Sequence, residues 1–195
     1  MTPRPRKVND DDIYAAAYRA MQRLGPNDLT LAAIADEAGL TPGAIVQRFG
    51  SKKGLMVALA RGAAASAGLF LGALRERSAS PLEAIREYGE CMAQLARTPD
   101  ALARNLAYLT IDISDPDLRK HLLVQSRATR AGLRALLEDA VRRGELRRGT
   151  KTAALARTLE TIIGGALLSW AVYREGSAAR FVREQIDAVL APHIR

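Results

Sequence analysis

Residues 29–49, Leu29-Thr30-Leu31-Ala32-Ala33-Ile34-Ala35-Asp36-Glu37-Ala38-Gly39-Leu40-Thr41-Pro42-Gly43-Ala44-Ile45-Val46-Gln47-Arg48-Phe49, decide how this chain is read. Leu31, Ile34, Ala35 and Ala38 recur at the spacing that puts them on one helix face. Gly39 can take the left-handed turn that ends that helix. A second helix restarts at once. Thr41 is its cap and Pro42 its first residue, where a fixed φ fits and the missing N–H is not needed. Ile45 and Phe49, four apart, face inward, which leaves Gly43, Ala44, Gln47 and Arg48 outside. Two short helices joined by a three-residue turn containing glycine describe either a helix-turn-helix or an ordinary helical corner, and periodicity does not separate the two.

The same punctuation runs outward along the chain. A capping side chain precedes proline at Thr41-Pro42, Ser80-Pro81, Thr98-Pro99 and Asp115-Pro116. Ser80-Pro81-Leu82-Glu83 also has the form of a capping box, with Glu83 expected to reach back. Gly39, Gly144 and Gly176 are expected left-handed stops. These signals predict about nine helices, over residues 10–24, 31–38, 42–49, 52–77, 81–97, 99–113, 116–143, 151–174 and 178–190. No strand alternation or internal repeat competes with them, and the mix of Ala, Leu, Arg and Glu favours helix nearly everywhere. The expected fold is all-α, a small three-helix head over residues 1–50 on a larger helical body over residues 51–195.

The 195 residues carry a formal net charge of +8, compatible with a nucleic-acid partner. Its distribution is less telling. Residues 1–55 hold eight basic side chains against six acidic ones, so the head is near neutral and most of the excess lies in the body. The basic arm over residues 1–8, with Arg4, Arg6 and Lys7, either lies along DNA or has no partner. Cys91 is the only cysteine, which excludes an intramolecular disulfide. No apolar segment follows the basic N-terminus. Residues 54–74 are interrupted by Arg61, and residues 162–172 are too few to span a bilayer. The expectation is a cytoplasmic protein with no membrane partner.

The motif adds what periodicity lacks. Thr30, Ile34-Ala35, Ala38-Gly39-Leu40-Thr41-Pro42-Gly43-Ala44-Ile45 and then Phe49-Gly50-Ser51-Lys52-Lys53-Gly54-Leu55 closely resemble the DNA-binding signature of the TetR family, and the Phe-Gly-Ser-Lys ending is its specific part. The resemblance is strong over residues 9–60 and continues loosely through Arg142–Arg147 and the last two helices. It implies a ligand-responsive transcriptional regulator, most often a repressor. Such a protein binds a palindromic DNA operator as a homodimer and is released by a small-molecule effector. Thr30, Thr41 and Lys52 match positions that meet phosphate. Pro42, Gly43, Ala44 and Gln47 match the recognition surface, where Gln47 suits adenine and the Ala44 methyl suits thymine. Arg48 is expected to reach phosphate or guanine, or to serve an intramolecular role. Val46 departs from the family, which usually has an aromatic there. The competing function is a small-molecule or partner-binding protein of the same fold without sequence-specific DNA binding.

The last two helices offer apolar residues on more than one face, with Gly164-Gly165 where another backbone can approach. The resemblance implies that they form the homodimer; the alternative is that one subunit consumes both faces. For a ligand pocket the candidates are Tyr88, Cys91 and Met92 on helix five, Asn105, Tyr108 and Asp112 on helix six, and Trp170 on helix eight, mixed polar and aromatic groups beside apolar stripes. The arginine excess of the body suggests an acidic ligand. No cofactor is implied, and catalysis has little support. His121 and His193 lie far apart in sequence, and no His, Cys or carboxylate cluster has metal-ligand spacing.

Overall fold

Each of the four Xaa-Pro starts predicted from sequence begins a helix. The structure, a computed structural model, describes residues 9–195 except for the side chain of Leu95. Among them are nine α-helices: α1 (Asp10–Arg23), α2 (Leu31–Ala38), α3 (Pro42–Phe49), α4 (Lys52–Arg77), α5 (Pro81–Ala93), α6 (Pro99–Ser114), α7 (Pro116–Arg143), α8 (Thr152–Tyr173) and α9 (Ala178–Leu190). The side chains of Thr41, Ser80, Thr98 and Asp115 accept from backbone N–H groups in the first turns of α3, α5, α6 and α7. The basic arm over residues 1–8 lies outside the described residues.

Three local expectations fail. Glu83 does not close a capping box. Its carboxylate is held by Arg86 and by Arg183 of α9, charge-assisted bonds that outcompete a backbone N–H. The capping box sits instead on α1, where Asn9 Oδ1 accepts from Asp12 N at 2.8 Å and Asn9 N donates to Asp12 Oδ2 at 3.0 Å. Helix α5 ends at Ala93, and Gln94–Ala96 tightens into a 3₁₀ turn before the extended cap Thr98. Gly39 and Gly144 are left-handed caps as expected, but α8 ends at Arg174 with φ 57°, and Gly176 lies beyond the cap.

Two apolar clusters organise the packing. The smaller joins Ile13, Ala17 and Ala20 of α1, Ile34 and Ala35 of α2, and Ile45 of α3 to Leu55 and Leu59 of α4 and Tyr108 of α6. The larger draws Leu71 and Leu74 of α4 together with buried residues of α5, α7, α8 and α9. Helix α4 therefore enters both clusters. It runs along α7, while α5 rests on α9 and α8 packs against both α7 and α9. By length and composition α4 and α8 could each cross a membrane; the apolar run over residues 162–172 is part of α8, a helix of 22 residues. Within the fold α8 contributes Leu155, Leu159, Ile163 and Trp170 to the larger cluster.

Candidate functional site

The α2–α3 unit is built with little slack. Gly39 takes φ 66°, a conformation that costs a residue with a Cβ about 1–2 kcal/mol. The Thr30 hydroxyl accepts from Ala33 N at 3.0 Å, and that of Thr41 from Ala44 N at 3.3 Å. Ile45 is fully buried, and the Phe49 ring packs against Tyr14 with centroids 5.9 Å apart. Pro42, Gly43, Val46 and Gln47 are exposed, and Ala44 is half-buried. Helix α2 is bound to α1 through Glu37, whose carboxylate accepts from Arg19 Nε at 2.8 Å and Arg23 Nη2 at 2.6 Å. The Arg19 hydrogen bond, with the charges of Arg23 and Arg19, holds the Glu37 carboxyl below its ordinary range. Sequence reasoning missed this clamp.

Two expected DNA contacts have intramolecular partners. Arg48 Nη1 lies 3.3 Å from Asp10 Oδ1. Lys52 Nζ donates to the carbonyl of Pro26 at 2.8 Å, and two ammonium protons remain for other acceptors. The neighbouring Lys53 bridges Asp115 at 2.9 Å and Asp117 at 3.0 Å, tying the first turn of α4 to the α6–α7 corner.

Where α1 meets the body, a cavity of about 390 Å³ opens. Tyr18 and Met21 of α1 line it with Met56 and Leu59 of α4, Leu102, Asn105, Leu106, Tyr108 and Asp112 of α6, Leu118, Leu122 and Gln125 of α7, and Leu167 and Leu168 of α8. That volume lies in the ordinary small-molecule range of roughly 300–1,000 Å³. An adjoining space of about 270 Å³ shares Met56, Tyr108, Asp112 and Leu118 and continues to Pro26, Lys52 and Lys53. Three of the seven pocket candidates, Asn105, Tyr108 and Asp112, thus line one cavity. The other four do not. Tyr88 packs on Phe70 and on the larger core, Met92 packs on that core, and Cys91 is a half-buried free thiol. Trp170 is buried, its indole N–H donating to Gly176 O at 3.1 Å. Helix α5 faces α9, which explains why its candidates miss the cavity. The sequence held one unused signal: Tyr18, off the apolar face of α1 and 44% exposed, is an aromatic the head core does not need.

Tyr108 joins cavity to head. Its hydroxyl donates to Leu24 O, just past the end of α1, at 2.8 Å. Burial, with a smaller contribution from the charge of Asp28, pushes its phenol up to about 12. Arg104, one turn earlier on α6, donates to Gln22 O at 3.1 Å. Burial also raises the phenol of Tyr18, with the Asp112 charge adding to it, and raises the carboxyl of Asp112 itself. Among the described residues no lysine or arginine lines the larger cavity. Body arginines such as Arg75, Arg130 and Arg183 pair instead with Asp139, Glu160 and Glu90. Among the described residues no group of three His, Cys, Asp or Glu side chains could hold a metal ion.

The comparisons agree with this architecture. The family model described as bacterial regulatory proteins, tetR family, matches residues 13–59, and that of the BetI-type transcriptional repressor C-terminal region matches residues 81–195. The chain belongs to the TetR family. Its α2–α3 unit is the family's helix-turn-helix, carried by a transcriptional regulator. Several TetR-family structures share the fold. A TetR transcription regulator from Haloarcula marismortui superposes with a TM-score of 0.75 at 18% identity, over 95% of this chain and 98% of that one. SmeT, the repressor of the Stenotrophomonas maltophilia multidrug efflux pump SmeDEF, gives 0.68 at 20% identity, over 97% and 92%. The fatty acid degradation regulator FadR from Bacillus halodurans gives 0.68 at 15% identity, over 93% and 98%. No curated protein matches the chain in sequence.

Proposed function

We propose that this TetR-family chain is a repressor that binds a palindromic operator as a homodimer and leaves it when a small molecule occupies the central cavity. The observation that carries this reading is the shared lining of that cavity: α1 of the helix-turn-helix head and four helices of the body enclose the same space. An occupant cannot press on α6 without loading the Tyr108–Leu24 and Arg104–Gln22 bonds to the head, or on α4 without loading the helix that α3 packs against. A ligand that fits one α4–α6 arrangement better than another shifts the population of head positions, and the operator's affinity shifts with it. Small residues of α4, among them Gly62, Ala63, Ser66 and Ala67, line a groove of about 460 Å³ beside Tyr14 and Tyr18 and offer room for such a tilt.

On the DNA side the reading assigns Gln47 to a base edge, Pro42, Gly43 and Ala44 to the apolar groove contact, and Thr30, Thr41, Arg48 and Lys52 to phosphates. The dimer falls to α8 and α9. Within the subunit α8 buries Leu159, Ile163 and Trp170. It leaves Thr161, Gly164, Gly165, Leu168 and Val172 exposed, a flat stripe on which a second copy's helix can seat. SmeT has been solved in complex with triclosan, a precedent for small-molecule binding on this fold.

The test is selection of genomic DNA fragments by the purified protein at two salt concentrations. A recovered palindrome is expected, with Gln47→Ala weakening it by about 1–3 kcal/mol and Lys52→Ala weakening all sequences evenly and lowering the salt slope by about one. Retention without sequence preference would favour the second reading, a binding protein of the same fold. Two observations lean that way: Val46, 44% exposed, stands where the family usually has an aromatic, and Lys52 is already bound to Pro26 O.

A further inference from the structure

The larger cavity holds one ionisable carboxylate that nothing balances. Asp112 lines it from the last turn of α6, and among the described residues no hydrogen-bond donor or cation meets that carboxylate. Lys52 and Lys53, which line the adjoining space with Asp112, are bound to Pro26 O and to Asp115 and Asp117. Most of the surrounding surface is apolar, with Met56, Leu59, Leu106, Leu118 and Leu167 among the lining side chains beside the amides of Asn105 and Gln125. Removing a carboxylate from water without a partner costs several kcal/mol in a fully dry site and less in this half-buried one. A core built only for stability would have placed a leucine here. The Tyr18 ring lies close enough to Asp112 for its phenol to feel that charge. An aromatic ring and an unpaired carboxylate lining one largely apolar hollow suit one ligand class above others.

We infer that the cavity takes an amphiphilic cation, a single ammonium on an apolar body, with Asp112 as its counter-ion and Tyr18 beside the ammonium. This rests on the reading that the cavity is the effector site, and it names the effector's chemistry. A carboxylic or phosphoric acid is disfavoured, because its charge would sit against Asp112 with no lysine or arginine among the described residues of the lining to receive it. A neutral apolar molecule would fill the volume and leave Asp112 unpaired.

The experiment is calorimetric titration of the full chain, without DNA, using three compounds of one shape: phenylbutylammonium, phenylbutanol and phenylbutanoate. The amine is expected to bind at least about tenfold more tightly than the alcohol, and the acid more weakly than either. Asp112→Asn, which keeps shape and removes charge, is expected to bring the amine within about twofold of the alcohol while the alcohol keeps its affinity. Equal binding of amine and alcohol by the unmodified protein, preference for the acid, binding by none of the three, or an amine affinity untouched in Asp112→Asn would each overturn the inference. The unmodified protein's own preference among the three does not depend on how well the variant folds. Operator release, measured separately with the same compounds, keeps this inference apart from the effector reading. An Asp112-dependent amine that binds without releasing DNA supports the cation site and removes the effector role. Release by the alcohol at an affinity equal to the amine's does the opposite.

Discussion

The head and the central cavity share helices α1 and α4, yet one is filled and the other is not. In the head, Ile13, Ile34, Ile45 and Leu55 have no exposed surface, and α3 meets α4 so closely that a Cβ on Gly54 would overlap the carbonyl of Phe49. Around the cavity, Leu109 stays 38% exposed, and the gaps between α1, α4, α6 and α7 are bridged by polar bonds. Close-packed interiors move as blocks, whereas loosely filled ones have more than one arrangement within reach. The contrast assigns rigidity to the DNA-reading unit and adjustability to the space beside it.

The sharpest way to break the contrast is at Gly54. Gly54→Ala sets a methyl against a backbone oxygen that has no flexible end to swing away, so α3 must part from α4. A loss of about 3 kcal/mol in stability is expected, with faster hydrogen exchange in α2 and α3 than in α8 and α9. Uniform loosening of all nine helices would mean that the head is not a separate block.

Tyr108→Phe probes the seam between the two regions. It removes the bond to Leu24 O and leaves that carbonyl without its donor, so a loss of about 1–2 kcal/mol is expected by chemical denaturation. If the seam transmits, the coupling between ligand and operator falls more than either affinity does alone. A variant that loses stability but keeps full coupling would remove Tyr108 from the transmission path.

What the sequence reveals follows the same division. The head was readable because each of its devices is local. Gly39, Thr41-Pro42 and the Ile45/Phe49 pair act within one or two turns, and the motif from Thr30 to Leu55 spans one short stretch. The cavity was readable only on α6, where Asn105, Tyr108 and Asp112 share a single helix. Its other walls come from residues as far apart as Tyr18 and Leu168, brought together by packing that no spacing rule encodes. Tyr88, Cys91, Met92 and Trp170 showed the same mixture of polar and aromatic character and went to other places, because composition does not say which neighbour a helix faces. Lys52 matched its motif, but the Pro26 carbonyl that binds it lies 26 positions away.

Smaller effects come from the α6–α7 corner, where Asp112 and Asp115, three residues apart, are shifted in opposite directions. Asp115 and Asp117 are held below their ordinary value, chiefly by hydrogen bonds from Lys53, and Lys53 is raised in turn. The stability they contribute is complete above the ordinary carboxylate range and disappears as pH falls through their lowered folded values. Lys53→Met should therefore make acid unfolding begin at a higher pH, by a modest amount because these groups face solvent. An unchanged acid limb would mean that the Lys53 pairs do not fasten α4 to the corner.

Asp112 has the opposite sign. Burial raises its carboxyl, so the folded state binds that proton more tightly than the unfolded chain does. Its contribution is favourable only below the ordinary carboxylate value and is lost as pH rises through the raised folded value, which leaves a charge that weakens the fold at neutral pH. Asp112→Asn should raise the Tm of the ligand-free protein at pH 7 by roughly 1–2 °C after allowance for partial solvent screening, and the gain should vanish in acid. Thermal unfolding of the variant and its parent across that pH range checks both parts. A carboxylate kept at a cost to stability, one turn from others that add to it, is what a site built for a positively charged occupant requires. A variant less stable than its parent at every pH would mean that Asp112 has a structural partner and that the cavity wall is held by it.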